Sequence, residues 1–142
     1  MIPVENFLTT SRILVIDDHE DSRIVAKMVL EHAGYHVTLA SSGTEGLRQA
    51  LLELPDLVLT DLIVPGLDGL AVAEQLRLHP ATCDVRIVAV TADSRPSVRE
   101  DALRAGCNDF LSKPFHIAKL RSIVLEQLLL ARMYARSRIV SL

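Results

Sequence analysis

Five short apolar runs alternate along this chain with longer segments of helical periodicity, and no other feature constrains the fold as tightly. The runs are RILVI (Arg12 to Ile16), YHVTLA (Tyr35 to Ala40), DLVLT (Asp56 to Thr60), VRIVAV (Val85 to Val90) and DFLS (Asp109 to Ser112). Most are nearly continuous in Val, Ile and Leu, as expected of parallel strands covered on both faces. The last is shorter and more polar, which suits a sheet edge. A first helix is expected from about Glu20 to Ala33, stopped by Gly34 as a left-handed cap. A second opens with Ser42 and Glu45, three apart as in a capping box, and ends before Pro55. A third covers about Gly69 to His79, just ahead of Pro80. Ser97 and Glu100 repeat the capping-box spacing before a fourth, which ends at Gly106, and a fifth runs from after Pro114 to about Arg136. Five strand–helix pairs in strict alternation predict a doubly wound α/β sheet.

At 142 residues the chain suffices for one domain, burying about 70% of the surface its unfolded form exposes. Trp is absent and aromatics make up 4%, so the core is Leu, Val, Ile and Ala. A net charge of −3 argues against a general nucleic-acid binder. The charge is uneven, because from His116 onward five Lys and Arg face Glu126 alone, leaving an acidic body and a basic end. Cys83 and Cys107 lie far apart without zinc-ligand spacing, so they are expected as buried or half-buried thiols in a reducing compartment. The start, MIPVENFLTTSR, lacks the basic-then-apolar order of a secretory signal. No apolar stretch reaches the roughly 18 residues of a membrane span. A cytoplasmic protein without a membrane segment is expected.

In doubly wound sheets, ligands bind beyond the carboxyl ends of the strands. Asp17 and Asp18 follow the first run, Asp61 the third, Thr91 the fourth and Lys113 the fifth. With strand order 2-1-3-4-5, the flavodoxin-like arrangement, strands one and three are neighbours about 4.8 Å apart. The Asp17/Asp18 pair then faces Asp61, Thr91 flanks it, and Lys113 reaches back from two strands away, roughly 10 Å. Carboxylates this close repel by about 3 kcal/mol per pair at 5 Å and an effective dielectric of 20. A divalent cation that prefers oxygen ligands, Mg²⁺ or Mn²⁺, resolves the conflict together with Lys113. Such a site suits phosphoryl transfer to a carboxylate, where neutralising the phosphoryl oxygens is nearly all the help a protein can give. Asp61 would be the nucleophile and the product an acyl phosphate, with Lys113 and Thr91 binding phosphoryl oxygens.

Asp17-Asp18 after an apolar strand, Asp61 followed by Pro65-Gly66 and Asp68-Gly69, Thr91-Ala92, and Lys113-Pro114-Phe115 together resemble the receiver domains of bacterial two-component systems, chemotaxis receivers among them. The resemblance runs from about Arg12 to Leu128 and implies a phosphoacceptor in a His-to-Asp phosphorelay, a regulator that assists only its own phosphorylation and dephosphorylation. It implies a sensor histidine kinase or phosphotransfer protein as donor to Asp61 and a downstream protein target. It implies that Asp18, Asp61 and the backbone carbonyl of Ile63 bind the cation, with Asp17 acting mainly through water. It implies that Thr91 moves toward the phosphoryl group and lets Phe110 turn inward, repacking the helix 4, strand 5 and helix 5 surface, and that the bond before Pro114 is cis. The expected organisation is an arm over residues 1–11, the receiver over 12–128 and an extension of the last helix over 129–142, with no DNA-binding domain in this chain.

Some positions depart from the commoner pattern of that family. Phe110 replaces a frequent Tyr; Ile63 and Asp93 stand two past Asp61 and Thr91, bordering the phosphoryl group, where Ile63 would hinder water and slow dephosphorylation. Lys119 occupies a position that is usually acidic in the transcription-factor branch, which speaks against that branch's salt-bridged dimer. In the last helix Ile117, Leu120, Val124 and Leu128 can face the sheet, while Ile123, Leu125, Leu129, Leu130, Met133 and Tyr134 point elsewhere, a belt too wide for one packing face. An apolar self-association or docking surface is expected there, a homodimer included. Singly, each site residue has a plainer reading: aspartates in a solvated turn, a surface lysine, a core Phe110, and five histidines without ligand spacing. Two rival functions stay open. A haloacid-dehalogenase-type phosphotransferase also uses an Asp nucleophile but wants a second Asp where Ile63 stands. A phosphorylation-independent interaction module of the same fold would not need Asp17, Asp18, Asp61, Thr91 and Lys113 together.

Overall fold

The computed structural model describes residues 10–140, with side chains over 10–135. Five strands, β1 (Arg12–Ile16), β2 (His36–Ala40), β3 (Leu57–Asp61), β4 (Arg86–Thr91) and β5 (Asp109–Ser112), alternate with five helices. The helices are α1 (Glu20–His32), α2 (Gly43–Glu53), α3 (Gly69–Leu78), α4 (Pro96–Ala105) and α5 (Ile117–Val140). All neighbouring strands pair in parallel in the order β2-β1-β3-β4-β5, the flavodoxin-like topology. Strand side chains alternate between faces, so two cores form. Ile13, Val15, Leu57, Leu59, Val88 and Val90 pack against α1 and α5. Leu14, Ile16, Val58, Ile87 and Ala89 pack against α2, α3 and α4. Every residue of β3, at the centre, is buried, which explains its unbroken apolar run before the terminal Thr60 and Asp61.

Local chemistry sets the helix starts, with some departures from the sequence reading. The Ser42 hydroxyl caps α2 by accepting from the Glu45 N–H at 3.1 Å, but the Glu45 carboxylate reaches back to the N–H and hydroxyl of Ser41 rather than of Ser42. Asp68 caps α3 through the Ala71 N–H at 2.8 Å. The capping box expected at Ser97 does not form: α4 begins at Pro96 after Arg95, without a side-chain cap. Proline suits the first helical position because its φ is already set and its missing N–H has no partner there anyway. Gly106 ends α4 at φ 114. Side-chain exposure corrects two positions of α5. Ile123 is buried with Leu120, Val124, Gln127 and Leu128, while Ile117 is 51% exposed. Ile123 lies three past Leu120 and shares its face, whereas Ile117 sits in the first turn, at the rim. Cys107 is buried but Cys83 is exposed, in the turn region after α3 rather than in the core. Of the expected arm only Thr10 and Ser11 fall among the described residues, and the side chains of Arg136 and Arg138 lie outside them. No described helix is long and apolar enough to cross a membrane.

Candidate functional site

Strand register brings the polar strand ends together. Ile16 pairs with Thr60, so the next residues, Asp17 and Asp61, lie side by side at the carboxyl rim. Asp61 pairs with Val90, one before Thr91, and Thr91 pairs with Ser112, one before Lys113. Asp61 and Thr91 are thus the final strand residues, and Lys113 continues the ladder by donating its N–H to the Thr91 carbonyl at 2.8 Å. Gly69 lets α3 approach this rim, because a methyl group there would collide with the Asp61 carbonyl.

The Lys113 ammonium donates to Asp17 Oδ2 at 2.8 Å and to Asp61 Oδ2 at 3.0 Å. The other oxygens of both carboxylates are also engaged: Asp17 Oδ1 accepts from the His19 N–H at 2.9 Å and Asp61 Oδ1 from the Ile63 N–H at 3.2 Å. Arg23 donates to the Asp17 carbonyl at 2.8 Å and ties α1 to this loop. Burial pulls the Lys113 ammonium toward lower pKa, but hydrogen bonds and Coulomb attraction from Asp17 and Asp61 together outweigh it and hold the group above the ordinary lysine value. Lys113 therefore stays charged at neutral pH.

Asp18 is more exposed, its side chain at 37%. His19, absent from the sequence-based site, puts Nδ1 at 3.2 Å from both Asp17 Oδ1 and Asp18 Oδ1. One ligand atom from each of Asp17, Asp18, His19 and Asp61 can be chosen so that all lie within 4.8 Å of one another. Three carboxylates against the Lys113 ammonium and the Arg23 guanidinium still leave local negative charge, and carboxylate oxygens suit Mg²⁺ or Mn²⁺, so the residues present fit a divalent cation. The Thr91 hydroxyl is buried and accepts from the Asp93 N–H at 3.2 Å; it makes no bond to the carboxylates. Asp93 is held by Arg95 through two parallel bonds of 2.9 and 2.6 Å, which lower its pKa. Ile63 is 75% exposed at the mouth of the site. Phe110 pairs with Ala89, shares a sheet face with Thr91, and is half-buried against the α2–α4 core. The bond between Lys113 and Pro114 is cis, as the resemblance implied.

Residues 13–125 match the response regulator receiver domain family. The chain belongs to that family. Response regulator PleD of Caulobacter vibrioides is 36% identical over 120 residues, covering 80% of this chain and 26% of PleD, so this receiver spans about a quarter of that relative. Among solved structures, a putative response regulator from Chloroflexus aurantiacus superposes with a TM-score of 0.81 at 35% identity, covering 84% of this chain and 98% of the other. The receiver domain of sensor histidine kinase PA1611 from Pseudomonas aeruginosa, with magnesium coordinated in its active-site cleft, superposes at 0.78 and 34% identity, covering 84% and 98%. In the present receiver the acidic pocket of Asp17, Asp18 and Asp61 adjoins Lys113. The sequence reading missed His19, whose only signal is adjacency to the Asp-Asp pair, and a second polar cluster under α5. There Gln127, 3% exposed, accepts from Arg86 at 3.0 and 2.6 Å and donates to Asp109 at 3.2 Å. A lone Gln in an apolar helix carries no sequence signal for such a network.

Proposed function

We propose that this receiver is the phosphoacceptor of a two-component, His-to-Asp phosphorelay. The observation that supports it most is the pair of hydrogen bonds that Lys113 donates to Asp17 and Asp61, 96 and 52 residues away, which holds an ammonium where phosphoryl oxygens would arrive. An Asp61 carboxylate oxygen attacks phosphorus as the P–N bond of a donor phosphohistidine breaks; the imidazole leaves with the electron pair and takes up a proton. The donor is a sensor histidine kinase or a phosphotransfer protein. Exposed apolar Val25 on α1 lines a cleft with Pro114 and Phe115 and, with exposed Ile24 and Met28 on the same helix, offers it a landing next to the rim. Lys113 shifts from the carboxylates to a phosphoryl oxygen, and Thr91 rotates to bind another. A divalent cation, Mg²⁺ or Mn²⁺, held by Asp17, Asp18, Asp61 and the Ile63 carbonyl, supplies charge neutralisation at the phosphoryl group when bound.

Movement of Thr91 opens space for Phe110, which shares its sheet face, and repacks the α4–β5–α5 surface for a downstream protein target. The chain acts as a regulator rather than a turnover enzyme, working in the cytoplasm where ATP-charged donors are found. Its receiver unit covers residues 12–128. The haloacid-dehalogenase reading is disfavoured because Ile63 offers no acid or base two residues past Asp61. Incubation with Mg²⁺ and acetyl phosphate tests the proposal by intact mass: the wild type gains one phosphoryl group and Asp61→Asn gains none. A gain in both proteins refutes the role of Asp61.

A further inference from the structure

His19 stands at the N-cap of α1, a position that usually carries Ser, Thr, Asp or Asn to hold the first free N–H groups of a helix. Its side chain caps nothing there. The ring turns instead toward the acidic rim, with Nδ1 at 3.2 Å from both Asp17 Oδ1 and Asp18 Oδ1. The backbone fixes this placement at two points. The His19 N–H donates to Asp17 Oδ1 at 2.9 Å, and the His19 carbonyl accepts from the Arg23 N–H at 3.0 Å in the first turn of the helix. The side chain is 68% exposed, so neither capping nor packing accounts for a histidine at this position.

The spacings are those of a coordination shell. Around a six-coordinate cation with ligands at about 2.1 Å, adjacent ligands lie about 3.0 Å apart and opposite ones about 4.2 Å. The 3.2 Å between His19 Nδ1 and Asp18 Oδ1 is close to the first value. One ligand atom from each of Asp17, Asp18, His19 and Asp61 lies within 4.8 Å of the others, so movements of a few tenths of an ångström per ligand close the shell. With its proton on Nε2, a neutral imidazole offers the Nδ1 lone pair to the space these oxygens share. Nitrogen changes which metal such a site favours. Mg²⁺ takes oxygen ligands and gives up its waters reluctantly, whereas imidazole suits later first-row divalent cations. We propose that His19 is a metal ligand of this site through Nδ1 and gives the site a preference for a first-row transition cation over Mg²⁺. The proposal rests on the cation site of the phosphoacceptor reading and concerns which cation that site holds.

Calorimetric titration of the full chain with Co²⁺ and with Mg²⁺, wild type beside His19→Phe, tests this. Loss of the nitrogen is expected to weaken Co²⁺ binding about tenfold or more and to change Mg²⁺ binding by less than about twofold. Proton NMR of the Co²⁺-loaded wild type is expected to show one strongly shifted, exchangeable imidazole N–H signal that Co²⁺-loaded His19→Phe lacks. Equal Co²⁺ affinities, an equal fall for both metals, a shifted imidazole signal that persists in His19→Phe, or none in the wild type overturns the proposal. The signal in the wild type remains decisive if His19→Phe fails to fold. Phosphoryl uptake by the wild type from acetyl phosphate with Mg²⁺ is read separately. Uptake without the shifted signal overturns this proposal alone, and the signal without uptake overturns the phosphoacceptor reading alone.

Discussion

Replacing Lys113 with Met removes the one ammonium that bridges two buried carboxylates. Its bonds to Asp17 and Asp61 measure 2.8 and 3.0 Å, and those residues are 6% and 7% exposed. Hydrogen bonds to charged groups contribute about 1.5–3 kcal/mol each. Breaking a fully buried pair costs roughly 3–5 kcal/mol. The Lys113 side chain is 18% exposed, and removing it also relieves its own desolvation, so the expected loss is discounted to about 2–3 kcal/mol. For a chain of this length that lowers Tm by roughly 6–9 °C. Urea unfolding followed by circular dichroism in EDTA measures it, with an unchanged m-value. Mg²⁺ should recover part of the loss by taking over the carboxylate charge. The pH dependence has a definite sign. Lys113 is raised above its ordinary 10.5, so its contribution is fully present below that value and is lost as pH rises through the higher folded-state pKa. The difference between wild type and Lys113→Met should therefore hold steady from pH 7 to about 9 and shrink only in stronger alkali. A difference under about 0.5 kcal/mol at pH 7 in EDTA, the size of an ordinary surface substitution, would refute the bridge.

Other outcomes follow from the same structure. Ile63→Asn should speed loss of the phosphoryl group roughly fivefold, the rate equivalent of one hydrogen bond to attacking water; an unchanged decay in a mass-spectrometric time course would remove Ile63 as a water barrier. Thiol labelling of the native protein at pH 8 should modify Cys83 rapidly and Cys107 only on unfolding, since burial pushes the Cys107 thiol up to about 11; equal rates would contradict the packing. Gln127→Leu should cost about 1–2 kcal/mol by stranding Arg86 and Asp109, which still reach some water; a neutral result in urea unfolding would mean those two repair the gap themselves.

Much of the molecule was legible because its signals are local and periodic. The apolar runs of β1 and β5 match the observed strands end for end, and the others shift by one residue, which places Asp61 and Thr91 within their strands. Strand order and the rule that ligands gather at carboxyl ends then sufficed to bring Asp17, Asp61, Thr91 and Lys113 to one rim. What escaped the sequence depends on neighbours remote in the chain. Ile117 and Ile123 are chemically alike, and only the position of the sheet beneath α5 exposes one and buries the other. Arg86, Asp109 and Gln127 come from three elements and meet only after β4, β5 and α5 have packed. The direct bond of Lys113 to Asp17 was likewise decided by the fold. Residue type and spacing determine which backbone segments form and which rim they end on; the pairing of individual side chains is set by distances of a few ångströms that exist only once those segments are assembled.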